Sequence, residues 1–497
     1  MKIEIHQSQP WGVACDALII GVVEGSEGQP PWTVELNRFM GGAIAARLEA
    51  GDLKGGVGEV VPLAPGERLE ARRLLVTGLG KADRVTDETL RRATGAAVRW
   101  LEERGGGHAA TLLAMGLERR ASADRVHAVA EAAELAAYRG PAYGERAKHR
   151  ERHAPVAQLD VIEPRRGKHT HLVEAARRGA AVARGSNAAR HLAELPSNLL
   201  TPKDLAQAAT DLLRDTRVAV TVHDEKWIRA RQMGALLGVA QGSSQPPRFI
   251  VMQYRPRGAT RHVVLVGKGI TFDTGGISLK PRDGMDRMKY DMSGAAGVIG
   301  AMVAVAGLEP SLRVTGLVPT AENMPDGKAI KPGDVLMSAA GKSIEVLNTD
   351  AEGRLILADA LDHGRRMKPD VMIDMATLTG ACKVALGDVA CGIMGNDGSL
   401  VEALHQAGIE SGELAWPLPL LPEHDELVRG TVADLRNAAG RWGGALTAGA
   451  FLKPFAGETP WAHIDIAGVA WNDRERHYLK KGSTGFGVRL LAAYLGL

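Results

Sequence analysis

The sequence predicts an α/β fold of two domains, each a mixed, mostly parallel sheet covered by helices, with the larger domain at the C-terminal end. Short apolar runs alternate with helical patterns along most of the chain, which is typical of parallel sheets with helical crossovers. At 497 residues the chain also exceeds what one hydrophobic core usually serves. A basic, Pro- and Gly-bearing stretch near 140–171 marks the boundary. We therefore expect an N-terminal domain over 1–168, a linker helix over 169–196 and a C-terminal domain over 197–497.

The N-terminal domain is predicted from three apolar runs separated by helical patterns. Residues 17–22, 73–78 and 109–115 are apolar enough to be buried strands, whereas residues 32–50 and 87–104 have helical periodicity. This alternation of strands and helices favours a parallel sheet covered by helices.

The linker and the C-terminal domain repeat this pattern with stronger strands. An Ala- and Arg-rich helix over 172–195 should stop at Pro196, because proline disfavours a helical conformation in the residue before it. The predicted strands that follow are 218–222, 249–254, 262–266, 312–318, 371–375 and 463–466. Since open α/β sheets bind ligands at the carboxyl ends of their strands, we expect functional residues in the loops after these strands.

Charge and hydropathy exclude several classes of protein. The 61 basic and 58 acidic residues leave a formal charge of +3, which makes no strong case for nucleic-acid binding. The basic stretch between Arg139 and Lys168 is more typical of a solvated face or linker, and it leaves DNA binding as a minor alternative. Its other basic residues include Arg146, Lys148, Arg150, Arg152, Arg165 and Arg166. No run of about 18 apolar residues occurs, so no membrane-spanning helix is expected.

Cysteine usage and the N-terminal sequence favour a cytoplasmic location. The three cysteines, Cys15, Cys382 and Cys391, match neither a disulfide framework nor a zinc ribbon, and this fits a reducing compartment. The first seven residues, Met-Lys-Ile-Glu-Ile-His-Gln, alternate like a strand and lack the apolar core of a signal peptide.

Two glycine-bearing loops carry the residues that indicate chemistry. Directly after the strand 262–266 comes Gly-Lys-Gly-Ile-Thr-Phe-Asp-Thr-Gly-Gly, which contains Lys268 and Asp273 and is followed by Lys280 and Asp291. The second loop, Asn-Thr-Asp-Ala-Glu-Gly-Arg-Leu over 348–355, places acidic residues at 350 and 352 and an arginine at 354. In an extended chain this spacing would put all three side chains on one face.

A cluster of carboxylates from these loops would need positive charge to stay ionised in a poorly solvated cleft. Divalent cations supply it, and ligation by oxygen without Cys or His is compatible with Mn²⁺, Mg²⁺ or a carboxylate-bridged pair of zinc ions. Taken singly, an Asp-x-Glu loop is usually a solvated turn and a lysine is usually exposed. Their joint occurrence favours a metal site, but paired metals serve aminopeptidases and phosphatases alike, so the spacing leaves the reaction open.

Other catalytic motifs fail on inspection. Gly341-Lys342-Ser343 suggests a phosphate-binding loop, yet Leu336 stands where that motif requires glycine. The chain contains neither a His-Glu-x-x-His zinc motif nor a Gly-x-Ser-x-Gly nucleophile elbow.

The segments 266–280, 288–296 and 348–355 closely resemble the signatures of the leucyl aminopeptidase family, the cytosolic aminopeptidases. The resemblance continues through 233–243, 375–380, 444–455 and 461–471. It implies a catalytic C-terminal domain and a variable, macro-like N-terminal domain with an oligomeric or regulatory role. It also implies a cytoplasmic homohexamer that releases N-terminal residues from peptides, preferably leucine and other hydrophobic ones.

The resemblance further implies two divalent metal ions per subunit, Mn²⁺ or Zn²⁺, and a set of ligands for them. The tighter ion would be held by Lys268, Asp273, Asp291 and Glu352, and the more exchangeable one by Asp273, Asp350 and Glu352. Lys268 would ligate as a neutral amine, which requires a lowered pKa. Lysine can supply that lone pair, whereas arginine cannot.

The remaining roles also follow from the resemblance. Water shared by the two metals would attack the peptide carbonyl, and Lys280 would stabilise the tetrahedral oxygen. Arg354 would anchor a bicarbonate that shuttles protons, and Asp291 would meet the substrate's free α-amine. The apolar pocket for the first side chain would be lined by Met288, Thr377, Gly380 and Ala448. Metal-dependent hydrolysis of phosphate esters and DNA binding remain the alternatives.

Overall fold

The structure is a computed structural model that describes residues 1–151 and 154–497, with side chains left aside for 149–151. Arg152, from the predicted basic stretch, lies outside the described residues. The chain forms two compact units: Met1–Arg184 with Arg474–Lys481, and Gly185–Asp473 with Gly482–Leu497. The boundary thus falls inside the helix Thr170–Glu194, in the region where the sequence predicts a linker helix ending before Pro196.

The first unit contains a sheet of six strands and five complete helices among its described residues. The strands are β1 (Lys2–His6), β2 (Ala17–Val22), β3 (Val60–Leu63), β4 (Leu74–Gly78), β5 (Gly107–Thr111) and β6 (Val156–Ile162). The helices are α1 (Pro31–Phe39), α2 (Ala43–Glu49), α3 (Asp87–Glu102), α4 (Ala123–Ala136) and α5 (Glu145–Glu151), and α6 (Thr170–Glu194) begins here and ends in the second unit.

The sheet of the first unit has the order β1-β6-β5-β2-β4-β3 and is parallel except for β3 against β4. Its central strand β2 is buried along its whole length, which explains why it reads as a continuous apolar run. Helices α3 and α4 cover the sheet, and α3 begins at a capping box in which Thr86 and Thr89 satisfy each other's backbone N–H groups.

Two sequence predictions in this unit are wrong in detail. The helix predicted over 32–50 is two helices, because Gly41 and Gly42 adopt φ values of +69° and +89°, a left-handed conformation that ends α1. The strand predicted over 109–115 ends at Thr111, whose hydroxyl accepts a hydrogen bond from the Leu113 N–H at 3.1 Å. The chain then makes a short 3₁₀ turn over Leu113–Met115.

The second unit is larger and is built on a nine-stranded sheet. Its strands are β7 (Val218–His223), β8 (Arg248–Tyr254), β9 (His262–Gly267), β10 (Gly269–Asp273), β11 (Arg313–Asn323), β12 (Val335–Met337), β13 (Ser343–Glu345), β14 (Val371–Ala376), β15 (Cys391–Gly395), β16 (Ala415–Pro417), β17 (Leu435–Arg436), β18 (Trp461–Asp465), β19 (Trp471–Asn472) and β20 (Gly482–Ser483). Of these, β12, β13 and β17 form a separate three-stranded sheet, and β19 pairs with β20. Its helices are α7 (Pro202–Leu212), α8 (Glu225–Ala230), α9 (Gly234–Ala240), α10 (Ser293–Leu308), α11 (Gly353–Arg365), α12 (Gly380–Leu386), α13 (Gly398–Ser411), α14 (Pro422–Leu427), α15 (Gly444–Ala456) and α16 (Val488–Tyr494).

The main sheet runs β16-β15-β18-β14-β9-β11-β8-β7, with β10 added beside β11. Its centre, β18-β14-β9-β11, is parallel, while β15 against β18 and the β11-β8-β7 edge are antiparallel. The carboxyl ends of the parallel strands therefore meet at one edge. Both units have the predicted architecture of mixed, mostly parallel sheets covered by helices, and the predicted fold class is confirmed.

Helices cover both faces of this sheet. A Cβ atom at Gly316 of β11 would lie 3.1 Å from Met302 of α10, so this face of the strand packs closely on α10. The next residue, Leu317, points to the opposite face and shares a buried cluster with residues of α11 and α15, such as Leu357 and Phe451. The sheet is thus held between α10 on one side and α11 and α15 on the other.

One segment of the described residues, Met285–Leu308, is long and apolar enough to cross a membrane by composition, and 78% of its apolar 18-residue window is buried. It contains α10, whose contacts with β9, β11 and β14 explain its apolar surface. In the basic stretch of the first unit, Arg139 forms an ion pair with Glu102 at 2.7 Å and Lys148 one with Glu145 at 2.7 Å. These pairs offset part of the charge on which the DNA alternative depends.

Candidate metal centre

The predicted functional residues lie at strand ends and just before helices of the second unit. Lys268 occupies the single position between β9 and β10, Asp273 is the last residue of β10, and Asp291 lies just before α10. Asp350 and Glu352 lie in the loop that leads into α11. The carboxyl edge of the sheet therefore brings together side chains that are more than 80 positions apart in the sequence.

Lys268 is almost completely enclosed, with 3% of its surface exposed. Its Nζ lies 2.8 Å from a carboxylate oxygen of Asp291 and 2.8 Å from one of Glu352, and it donates a hydrogen bond to the Thr377 carbonyl at 3.0 Å. Gly353 follows Glu352, and a Cβ atom there would lie 2.6 Å from the Cε of Lys268. Glycine at 353 therefore makes room for the lysine.

Three carboxylates form the centre of the cluster. One oxygen from each of Asp273, Asp350 and Glu352 lies within 4.8 Å of the others, close enough to share ions. Asp273 and Glu352 are buried, while Asp350 is partly exposed and so forms the solvent side of the group.

Asp291 joins the cluster from the other side through Lys268. Its Oδ1 accepts a hydrogen bond from the Thr377 hydroxyl at 2.7 Å, and the same hydroxyl lies 3.1 Å from the Asp291 carbonyl. Thr377 follows β14 directly, so the neighbouring strand fixes the orientation of this carboxylate.

Lys280 contacts the cluster from the loop that follows β10. Its Nζ lies 2.8 Å from a carboxylate oxygen of Asp273 and also forms an ion pair with Asp350. About a fifth of its side chain is exposed, so it lies on the open side of the group. The sequence places Lys280 outside the ligand set, and here it lies between two of the expected ligands.

Burial and mutual repulsion perturb the titration of this cluster. Loss of solvation raises the pKa values of Glu352, Asp291 and Asp350, and the nearby Asp273 carboxylate raises them further. Burial alone would lower the pKa of Lys268, but the charges of Asp291 and Glu352 outweigh it and raise that pKa. Lys280 shows the same balance, with Asp273 as the main raising charge. Without metal, Lys268 is thus a counter-ion, and the lowered pKa expected of a ligand depends on the ions themselves.

The cluster fits a pair of divalent cations. Its four carboxylates carry four negative charges when ionised, and the two lysines offset only half of them. The Oε2 atom of Glu352, a residue with 1% of its surface exposed, has no hydrogen-bond partner. A buried carboxylate oxygen without a partner is costly in protein alone and is a good ligand for a cation.

Arg354 lies beside the cluster, but the chain that carries it is helical and not extended as the spacing suggested. Glu352 is the cap residue of α11 and Arg354 lies within its first turn, so the expectation of an extended chain over 350–354 is wrong. The guanidinium is buried, donates to the Asn437 carbonyl at 2.8 Å and leaves its Nε without a partner. Burial lowers its pKa to about 10, so it stays charged at neutral pH.

Comparison with known proteins identifies the family to which this site belongs. Residues 187–492 match the sequence model of the cytosol aminopeptidase family catalytic domain, and residues 19–146 match that family's N-terminal domain. The chain belongs to the cytosol aminopeptidase family. The family predicted from the motifs is thereby confirmed, as is the prediction of an enzyme that hydrolyses peptide bonds.

Relatives cover the full length of the chain. A probable cytosol aminopeptidase of Geobacter sp. (strain M21) is 45% identical over 500 residues, which span 100% of this chain and 99% of the relative. The solved structure of a tomato leucine aminopeptidase mutant matches with a TM-score of 0.86 at 29% identity, covering 100% of this chain and 96% of that one. The bottromycin maturation enzyme BotP in complex with Mn matches with a TM-score of 0.82 at 34% identity, covering 97% and 99%.

Membership of the cytosol aminopeptidase family settles the class of reaction that the carboxylate pattern left open. The chain is a metal-dependent hydrolase that removes N-terminal amino acids from peptides. Hydrolysis of phosphate esters, which the spacing alone allowed, is not the activity of this family.

The residues predicted to line the substrate pocket of this cytosol aminopeptidase are distributed over four elements. Met288 lies in the 3₁₀ turn Met285–Tyr290, and its carbonyl accepts the Asp291 N–H at 3.3 Å. Thr377 touches Asp291 directly, Gly380 is the exposed first residue of α12, and Ala448 is fully buried in α15. Thr377 is therefore joined to the cluster by hydrogen bonds, while the pocket role of the other three stays a prediction.

Sequence reasoning missed two asparagines that hold the ligand loops. Asn437 is fully buried, accepts the N–H groups of Leu347 and Asn348 and donates to the Asn348 carbonyl at 2.6 Å. Asn323, at the end of β11, donates to Asp273 at 2.8 Å. A strand prediction that ran to 323 instead of 318 would have placed Asn323 at a carboxyl end, where functional residues are expected.

Proposed function

We propose that this chain is a leucyl aminopeptidase that uses two divalent metal ions, Mn²⁺ or Zn²⁺, to remove leucine and other hydrophobic residues from the N-termini of peptides. The observation that carries the proposal is the convergence of Lys268 and four carboxylates at one edge of the sheet, with a buried Glu352 oxygen left unpaired. The manganese in the BotP structure supports a preference for such ions.

The five side chains fall into two overlapping sets of ligands. Lys268 and Asp291 lie on one side of the cluster and Asp350 on the other, while Asp273 and Glu352 lie between them. This arrangement supports one ion held by Lys268, Asp273, Asp291 and Glu352 and a second held by Asp273, Asp350 and Glu352. The partly exposed Asp350 makes the second site the more exchangeable one.

When bound, the two ions would lower the pKa of water and polarise the peptide carbonyl. The chain itself supplies a positive charge for the oxygen that becomes negative during attack. Lys280 suits this role because its ammonium lies at the open side of the cluster.

Arg354 would hold an anion for proton transfer. Its guanidinium is buried and charged, and Nε has no protein acceptor, which leaves a donor for bicarbonate. A proton released by water must reach the leaving amine, and a bicarbonate held here would carry it. The described side chains around the cluster include no histidine hydrogen-bonded to these ligands that could serve instead.

Cleavage at an amino end follows from how the substrate would be held. The free α-amine would meet the carboxylate of Asp291, which Thr377 orients. The first side chain would enter an apolar pocket lined by Met288, Thr377, Gly380 and Ala448. We further propose that the enzyme acts in the cytoplasm as a homohexamer, as the resemblance implies, and its three buried, unpaired thiols fit a reducing compartment.

A chelation experiment tests the proposal. Hydrolysis of leucyl amide should disappear after chelation and dialysis and return on addition of Mn²⁺ or Zn²⁺, with Mg²⁺ and Co²⁺ tested in parallel. Two ions per subunit should be bound at full activity. Retention of activity after complete removal of metal would refute the mechanism.

Asp350→Ala separates the two proposed sites. It should reduce binding to one tight ion per subunit and lower kcat/KM by at least about 100-fold, because an outer ligand of the exchangeable site is lost. Asp211→Ala is the matched control: it removes a surface carboxylate of α7 that pairs with Arg214, and this variant should keep both ions. An Asp350→Ala enzyme with wild-type activity would contradict the ligand assignment.

A further inference from the structure

Asn323 occupies a buried position between the two loops that carry the carboxylates. It is the last residue of β11, and the parallel ladder with β10 places it opposite Asp273. Only 2% of its surface is exposed. Its side chain is thus fixed beside the residue expected to bridge both metal ions.

The amide of Asn323 uses both of its N–H groups on this site. Nδ2 donates to Oδ1 of Asp273 at 2.8 Å and to the carbonyl of Thr349 at 3.0 Å. A backbone carbonyl and a carboxylate are acceptors, so the nitrogen of the amide, and not its oxygen, must face them. One side chain therefore links the Asp273 loop to the loop that carries Asp350 and Glu352.

Asp273 is oriented by these contacts. Its Oδ1 accepts two hydrogen bonds, from Asn323 and from the N–H of Gly275 at 2.8 Å. Its Oδ2 has no such backbone or amide donor and faces Lys280 at 2.8 Å. The two donors fix the position of Oδ1 and thereby orient Oδ2 towards the cluster.

A second set of hydrogen bonds ties the same loops together. The Thr349 hydroxyl donates to the Gly275 carbonyl at 2.6 Å and accepts the Ser278 N–H at 2.8 Å. The backbone carbonyl of Asn323 accepts the N–H and the hydroxyl of Thr274, at 3.0 and 2.8 Å. These bonds involve backbone and hydroxyl groups, whereas Asn323 Nδ2 reaches an expected ligand itself.

We propose that Asn323 is a positioning residue of the metal centre: it orients the bridging carboxylate of Asp273 and fixes its distance from Asp350 and Glu352. The proposal rests on the two-metal function proposed above. Partners that hydrogen-bond to a metal ligand commonly change metal affinity by about 10- to 100-fold when they are replaced. Asparagine is suited to this place because aspartate would set a second negative group against Asp273, and alanine would leave the Thr349 carbonyl without this donor.

Metal titration of two variants tests this role. Wild type, Asn323→Asp and Asn323→Ala are stripped of metal, and the affinity and number of Mn²⁺ ions are measured by calorimetry. Both variants should bind Mn²⁺ about 10- to 100-fold more weakly than wild type. The rise in thermal midpoint on adding Mn²⁺ should shrink accordingly, because a ligand stabilises only by binding the folded state.

Asn396→Asp is the matched control. Asn396 also donates its amide to two carbonyls, those of Gly457 and Thr459, and its oxygen accepts the Trp461 N–H, so none of these bonds involves an expected metal ligand. It should keep wild-type affinity for Mn²⁺ even if its metal-free thermal midpoint falls. Comparison of metal-free midpoints separates loss of folding from loss of metal binding in all variants.

The outcomes are distinguishable. Weaker binding in both Asn323 variants, with the control unchanged, supports the positioning role. Wild-type affinity in Asn323→Ala overturns it, even if Asn323→Asp binds weakly, because the effect would then come from the added charge. If the wild-type protein itself binds neither Mn²⁺ nor Zn²⁺ in parallel titrations, the metal centre is refuted and the role of Asn323 falls with it.

Discussion

Replacing Gly353 by alanine provides a sharp test of how Lys268 is enclosed. Gly353 is the first residue of α11, where its backbone is helical and any residue could adopt it. A Cβ atom there would lie 2.6 Å from Cε and 2.7 Å from both Cδ and Nζ of Lys268. Carbon atoms in van der Waals contact lie about 3.5 to 4.0 Å apart, so the lysine would have to move by about 1 Å.

Two opposing effects set the change in stability. Alanine is a better helix former than glycine by about 1 kcal/mol in a helix interior, and by less at the first position. Overpacking costs about 1–3 kcal/mol, and Lys268 cannot swing away without loosening its contacts with Asp291, Glu352 and the Thr377 carbonyl. The net effect on the metal-free protein is a loss of about 0–2 kcal/mol.

Metal binding should change far more than stability. A displacement of about 1 Å in a catalytic group can cost about 100-fold in rate. We therefore expect Gly353→Ala to lower kcat/KM for leucyl amide by about 100-fold in the activity assay. The affinity for the tighter metal ion should also fall, as measured by metal titration after chelation. Activity should recover only in part at high metal concentration, because the lysine remains displaced.

Gly398→Ala is the control for this experiment. Gly398 is also the first residue of a helix, α13, and a Cβ atom there would meet nothing within 4 Å. This variant should be as active as wild type and at least as stable. If Gly353→Ala behaves in the same way, Lys268 is free to adjust and the inference that glycine makes room for it is wrong.

Three further predictions follow from the structure. Burial lowers the pKa of His262 to about 4, so the unfolded state takes up a proton at a higher pH than the folded state does. The free energy of unfolding should therefore fall by at most about 3 kcal/mol as the pH drops from about 6.5 to about 4. His262→Asn should flatten this pH dependence in thermal melts across the same range. Arg354→Lys should lower kcat/KM at least about 10-fold and abolish any rate increase caused by bicarbonate, because lysine cannot reproduce the guanidinium geometry. An unchanged response to bicarbonate would argue against Arg354 as the residue that binds it. The thiols of Cys15, Cys382 and Cys391 are buried, and their pKa values are raised, so a disulfide reagent at pH 8 should label all three only after denaturation.

Much of the fold was predictable because its central strands are buried on both faces. The strands β2 and β9 are dominated by apolar residues, β14 is apolar apart from Asp374, and all three were predicted within one residue of their observed bounds. The break between α1 and α2 was missed, since a helical pattern alone does not show that adjacent glycines will adopt positive φ. The end of β11 was missed as well, because Pro319 and the polar residues after it do not look like a buried strand.

The candidate site was predictable in its residue types but not in its local geometry. The sequence named the carboxylates and Lys268 from their motifs, yet assumed an extended chain over 350–354 where α11 in fact begins at Gly353. The supporting contacts could not be predicted, because Asn323 and Asn437 reach the loops from strands and turns far away in sequence. Such tertiary hydrogen bonds leave no periodic signal in a single sequence.

The behaviour of Lys268 explains why a lysine occupies this position. In the metal-free protein its ammonium balances Asp291 and Glu352, and its raised pKa keeps it charged. With two divalent ions present, the four carboxylates would already be neutralised, and an additional positive charge in their midst would be repelled by the ions. Lysine can lose its proton and remain as a neutral ligand, whereas arginine would stay charged and methionine could not balance the carboxylates before metal arrives. In the proposed two-metal centre, one side chain would thereby balance the carboxylates of the empty site and act as a neutral ligand in the filled one.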